Sequence, residues 1–169
     1  MKHWLLIMVL LPLTVSGSTI TPIAGDKQDT IALDKSLSIF AEFSHKQSAT
    51  KTEIILTIHG RVDEGFHVYS IHPQGDFAPD PTQLILESKI LNLTGALKES
   101  KPQTIIDDAF RLPLKVHKNE FWLRQKCSIA KDVKQGLHNI RGYIQYQVCN
   151  NRICSLPLRK HFQEKVQID

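Results

Sequence analysis

Two cysteines five positions apart close the stretch Tyr146-Gln147-Val148-Cys149-Asn150-Asn151-Arg152-Ile153-Cys154, at the end of an alternating apolar run and just before Pro157. Thiols at that spacing can do redox chemistry as a disulfide across the mouth of a hairpin. If the four intervening residues form the turn, opposed positions in antiparallel strands have Cα atoms about 4.5–5.5 Å apart, within the range a disulfide spans. Such a bond opens and closes with little backbone movement. As a staple it closes a very short loop, worth about 2 kcal/mol on a chain-entropy estimate against ~3 kcal/mol for fifteen residues. Arg152 inside the loop, with Arg159, Lys160 and His161 after it, would favour a thiolate on reduction, because nearby cations lower a cysteine's pKa. A purely structural hairpin disulfide fits the same spacing, and spacing alone does not separate the two.

Cys127 is the odd cysteine of three. At the end of the Phe121-Trp122-Leu123 run it reads as a buried, small apolar side chain, with an intermolecular bond or a resolving thiol as alternatives. His67, His72, Cys127, Cys149 and Cys154 raise the question of a metal, but their spacing matches no standard zinc signature, and both methionines, Met1 and Met8, fall in the leader. We therefore expect no metal and no cofactor. His67 reads as a strand residue with a hydrogen-bonded ring and His72 as an exposed loop residue. Either could tune a thiol if the fold brought it close.

Lys2 and His3, an apolar core from Trp4 to Val15, and Ser16-Gly17 before Ser18 form a secretory signal peptide. That run is short for a membrane span, and no later segment is apolar enough to cross a bilayer. Cleavage would leave a mature chain of about 150 residues, enough for one domain with its own core, in a compartment that permits disulfides. Removal of Lys2 takes the formal charge one unit below the whole chain's +4. Basic residues are interleaved with acids, so no stripe suits phosphate tracking and no nucleic-acid role is expected. Asn92-Leu93-Thr94 fits a glycosylation sequon and reads as incidental.

The cysteine pair needs strands to hold it. Residues 18–36 are polar and read as a flexible lead-in, with the domain running from 37 to 169. Leu37–Phe43, Thr52–His59, Phe66–Ser70 and Thr82–Glu87 are strand-like, the second placing Ile54, Leu56 and Ile58 on one face. The Asp63-Glu64-Gly65 turn and a Pro/Gly/Asp-rich loop from His72 to Pro81 separate them. Further strands are expected at Ile90–Gly95, Phe110–His117, Glu120–Cys127, Gly136–Val148 and His161–Ile168, with a turn at Lys118-Asn119 and weak helical character only over Ser128–Lys134. Many short strands and little helix predict an all-β, immunoglobulin-like sandwich.

Two stretches resemble the family of N-terminal periplasmic domains of the thiol:disulfide interchange protein DsbD. One is Gly65-Phe66-His67-Val68-Tyr69-Ser70, followed by the Pro/Gly loop and Pro81-Thr82. The other runs from Gly142-Tyr143-Ile144-Gln145-Tyr146-Gln147-Val148-Cys149 through Cys154 to Pro157. The resemblance extends over about residues 37–168. It implies an immunoglobulin-like domain in the bacterial periplasm whose pair, Cys149 and Cys154, exchanges disulfides with thioredoxin-like or other periplasmic oxidoreductases, one cysteine forming the mixed disulfide and the other resolving it. It also implies a shielding loop with an aromatic side chain, for which Lys98–Leu112 with Phe110 is the counterpart. Tyr146, Arg152 and His67 are further candidates for tuning the pair. Full-length family proteins continue into membrane and thioredoxin-like domains, whereas this chain stops at Asp169, so the expected electron source is another protein. The tight four-residue turn would make the bond more oxidising. The competing expectation is an exported binding or scaffold domain with a structural disulfide.

Overall fold

The computed structural model describes residues 33–48, 51–72 and 74–168, without the side chains of 45–48 and 51–52. The leader and most of the lead-in lie outside the described residues. Among the described residues eleven strands follow one another: β1 (Leu37–Ser48), β2 (Lys51–Val62), β3 (His67–Tyr69), β4 (Gln83–Leu86), β5 (Leu91–Glu99), β6 (Gln103–Asp107), β7 (Leu112–His117), β8 (Glu120–Ile129), β9 (Gly136–Tyr146), β10 (Val148–Cys149) and β11 (Leu158–Ile168). They pair antiparallel in three sheets, ordered β1-β2-β8-β5, β11-β9-β4 and β10-β3-β7-β6. This is the all-β, immunoglobulin-like sandwich that the strand pattern predicts. No described helix is long and apolar enough to cross a membrane.

Period-two alternation builds the main core. Ile54, Leu56 and Ile58 of β2 are fully buried, as are Leu123 of β8 and Ile140, Ile144 and Tyr146 of β9, with Phe162, Val166 and Ile168 of β11 closing the far layer. Burying such side chains is worth about 1.5–3 kcal/mol each. The core reaches back to Leu33, four positions before the strand at which the domain was expected to begin, and Ser36 caps that approach through its hydroxyl to Leu33 O at 2.7 Å. Gly142 lets β9 run between its neighbours: a Cβ there would sit 2.5 Å from Ile85 O and 2.7 Å from the Phe162 ring.

Sheet β10-β3-β7-β6 is apolar on both faces. Val68 and Val148 point into the main core, while Tyr69, Leu114, Val116 and Cys149 form a second, smaller cluster on the opposite face. The registers Cys149↔His67, Tyr69↔Val116, Ile105↔Leu114 and Asp107↔Leu112 put all of these side chains on that second face, because alternate strand positions face opposite ways.

Four expectations need correction. Ser128–Lys134 is not helical: β8 runs to Ile129, and Asp132 has φ 63° in the turn that follows, a left-handed conformation that interrupts a right-handed helix. The strand expected from Phe110 starts at Leu112, since Arg111 has φ 55° and its N–H closes a turn onto Asp107 O at 2.6 Å. Within the stretch read as a shielding loop lies β6, hidden because its buried position carries Asp107 instead of an apolar residue. The long strand expected over Gly136–Val148 breaks at Gln147, where the chain leaves β9 for β10 in another sheet. The Gln147 side chain covers the break, accepting from Asp80 N at 2.8 Å and donating to Ser155 O at 3.0 Å.

Candidate active site

Cys149 and Cys154 are joined in a disulfide with Cα atoms 4.1 Å apart, bridged antiparallel across the turn. Local hydrogen bonds fold the turn. Asn150 Oδ1 accepts from Arg152 N at 2.8 Å and Ile153 N at 2.9 Å, and Asn150 N donates to Ile153 O at 3.0 Å. This is the short-range bonding that favours Asn in turns. Below the bond, Ser155 N donates to Val148 O at 2.9 Å, and Val148 N to Ser155 Oγ at 3.1 Å.

The two sulfurs have different surroundings. Cys149 is fully buried, and Cys154 is partly exposed against the smaller cluster. The Tyr69 hydroxyl lies 2.8 Å from Cys149 Sγ and 3.6 Å from Cys154 Sγ. It also donates to Asp107 Oδ2 at 2.9 Å, where His67 Nε2 donates from the same distance. The other carboxylate oxygen, Oδ1, accepts from Ala109 N at 2.9 Å and Phe110 N at 3.1 Å. One carboxylate therefore shapes the turn that carries Phe110 and also orients the phenol beside the disulfide. Phe110 packs edge-on against Tyr69, ring centroids 6.2 Å apart, in the same cluster as Cys154.

Burial alone would raise the Asp107 carboxyl, but the N–H of Phe110, the Tyr69 hydroxyl, His67 and the N–H of Ala109 outweigh it and hold the group below the usual range. Burial lowers His67 more than Asp107 restores it, so the ring is neutral and Nε2 carries the donated proton. Tyr69 is raised by burial and then by Asp107, which keeps it a hydroxyl at any physiological pH. A breaking S–S bond would thus leave Cys149 facing an O–H donor within a buried, hydrogen-bonded pocket.

Of the side chains expected near the pair, the structure brings in His67 and Phe110. Tyr146 is elsewhere: it lies in the main core and its hydroxyl reaches Asp34 Oδ1 at 3.4 Å. Arg152 is exposed at the tip of the turn. The downstream cations point along the β9–β11 ribbon, Arg159 over the Tyr143 ring at 4.8 Å, Lys160 to Asp34 O at 2.9 Å and His161 beside Tyr143. The expected cationic setting is therefore replaced by a neutral hydroxyl donor. His72 is exposed, 3.9 Å from Glu99. Cys127 is buried in the main core, its thiol pushed up to about 11 by burial. Among the described residues no three His, Cys, Asp or Glu side chains converge to hold a metal ion.

Sequence reasoning missed Tyr69 and Asp107 as site residues. Tyr69 is two positions from His67 and so shares its strand face, a signal present in the sequence. Asp107 followed at three residues by Phe110 carried the mark of a side-chain-capped turn.

Residues 39–165 match the model of the family described as the thiol:disulfide interchange protein DsbD, N-terminal. No curated protein matches the chain. Among solved structures, the crystal structure of the DsbD N-terminal domain of Neisseria meningitidis in the reduced form is similar, with TM-score 0.54 and 16% identity over 84% of this chain and 94% of that one, a likeness of fold. With the match spanning most of its length, this chain belongs to the family of DsbD N-terminal domains.

Proposed function

We propose that this protein is a periplasmic thiol–disulfide exchange module that relays electrons between thioredoxin-like partner proteins through Cys149 and Cys154. The observation that carries this reading is the Tyr69 hydroxyl, 2.8 Å from the sulfur of a fully buried cysteine. A staple needs no donor at its sulfur; a leaving thiolate does, because an unpaired buried charge is costly. The asymmetry supports a division of roles. A partner thiolate attacks the accessible Cys154 Sγ, the S–S bond breaks, and Cys149 leaves with the electron pair toward Tyr69. The partner's second thiol then attacks its own sulfur in the mixed disulfide and frees Cys154. Phe110 is the lid over the pair. Two exposed apolar side chains offer the partner a surface: Leu156, two residues beyond Cys154, and Phe77, next to the Ala78 that packs on the cluster.

A thioredoxin-like partner carrying a single reactive cysteine, activated with an aromatic disulfide, should be trapped by Cys149→Ala through Cys154 and form little adduct with Cys154→Ala. Phe110→Ala should accelerate trapping severalfold. Wild-type exchange rates in Cys149→Ala would exclude the reading. A reduction potential well below about −300 mV, where structural disulfides lie, would leave a binding domain with a stapled hairpin.

A further inference from the structure

Asp107 Oδ2 accepts from two donors, His67 Nε2 and the Tyr69 hydroxyl, each at 2.9 Å. The hydroxyl has one proton and two claimants, since Cys149 Sγ is also within 2.8 Å. In the disulfide the sulfur is neutral, so the charge-assisted bond to the carboxylate holds that proton. Once Cys149 keeps the electron pair, two buried anions compete for it. If Cys149 takes it, Asp107 keeps His67 Nε2–H and the N–H groups of Ala109 and Phe110, but the pocket then holds two buried negative charges and no cation unless a further proton enters beside Asp107.

His67 is the group in place to hold that proton. Its Cα is directly opposite Cys149 in the β3–β10 ladder, and its ring meets Tyr69 edge-on with centroids 5.4 Å apart. The charged groups facing it come from three directions: Asp107 at the end of β6, Asp108 in the turn beyond it, and Lys118 after β7, the last opposing protonation. The disulfide on β10 is the neighbour whose charge changes in the reaction.

Resting on the exchange reading above, we propose that His67 is a positioning residue for reduction of the Cys149–Cys154 bond: it takes up a proton as the bond opens, pairs as imidazolium with Asp107, and releases the Tyr69 hydroxyl to the Cys149 thiolate. The step balances with a dithiol as reductant. Its first thiolate bonds to Cys154 Sγ as the S–S bond breaks, and its second thiolate displaces Cys154. Of the two protons the dithiol gives up, one ends on Cys154 and one on His67, with Cys149 left as thiolate. Protonation and reduction therefore favour each other at this site.

The test uses dithiothreitol as the dithiol and follows the rate constant for reduction, expressed per dithiothreitol thiolate, from pH 8 to pH 5. In the wild type it should rise by about tenfold as the pH falls, the effect of one charge-assisted hydrogen bond. His67→Gln keeps an N–H for Asp107 but cannot take up a proton, and should lose the rise. Superimposable profiles overturn the proposal. The same question can be put to the unmutated protein by following the His67 ring resonances against pH. Their midpoint should be higher in the reduced than in the oxidised form, and equal midpoints overturn the proposal even if the variant fails to fold. A wild-type disulfide that dithiothreitol does not open would overturn the exchange reading as well, whereas an opening disulfide with a pH-independent rate removes His67 alone.

Discussion

Two buried carboxylates occupy opposite faces of the sheet that carries β3, and their surroundings are near copies. On one face Asp107 accepts from His67 and the Tyr69 hydroxyl. On the other Glu99 accepts from His117 Nε2 at 2.8 Å, the Ser70 hydroxyl at 2.6 Å and Ile71 N at 3.0 Å. Burial would raise both, and in both the hydrogen bonds win and keep the carboxyl below its ordinary range. The difference is where the hydrogen-bonded chain ends. The Tyr69 hydroxyl continues to Cys149 Sγ, whereas Ser70 Oγ accepts from His72 N at 3.2 Å and returns to the backbone. A buried, perturbed carboxylate with a histidine and a hydroxyl is thus not in itself a sign of chemistry. Contact with a group that changes charge is.

That contrast makes Glu99 a structural tie between β5, β7 and the start of the loop after β3. Glu99→Ala should lower stability by about 3 kcal/mol, since it strands buried donors, yet leave the exchange rate of the folded fraction alone. Urea denaturation and dithiothreitol kinetics on one preparation measure both. A comparable loss of exchange rate in Glu99→Ala and Asp107→Ala would abolish the distinction between the two faces.

Matched hydroxyl deletions sharpen it further. Tyr69→Phe keeps the ring in its cluster and removes the donor at the sulfur, so exchange should slow by roughly tenfold to a hundredfold, the scale of one hydrogen bond to a charged group. Ser70→Ala should instead cost about 1 kcal/mol of stability with an unchanged rate. Exchange kinetics that rank the two variants in the opposite order would mean that the Tyr69–Cys149 contact has no part in the reaction.

Acid should weaken both faces, and the sign is the same for each group. His67 is lowered in the fold from its ordinary 6.5, so the unfolded chain binds the proton first, and stability falls as the pH drops below that value. Asp107 and Glu99 are lowered from 3.8 and 4.5, adding a second loss below those values. Urea midpoints measured from pH 7 to pH 3.5 should decline in that order, and His67→Gln should remove the earlier decline while keeping the later one. A variant curve parallel to the wild type throughout would detach His67 from the acid response.

Much of this was legible in the residues. The alternation of β2, β8 and β9 identifies which side chains meet in the core, and the Cys149–Cys154 spacing with Asn150 and Asn151 between them specifies a turn that closes its own disulfide. The strand around His67 was equally readable. Harder to see was β6, because a strand whose inward position is Asp107 breaks the apolar alternation that marks strands. The misplaced cations have a related cause: Arg159, Lys160 and His161 follow Cys154 closely in sequence, but β11 belongs to a different sheet and carries them away from the sulfurs.

Most of the strands, the close cysteine pair and the family resemblance could be read from the residues, because they depend on local periodicity, turn chemistry and motif spacing. The convergence of Tyr69, Asp107 and His67 on Cys149, and of Ser70 and His117 on Glu99 at the reverse face, came from the folded chain. Those contacts join residues as many as 80 positions apart, and they depend on which strands pair and in what register. A shift of one residue would turn each of those side chains to the other face.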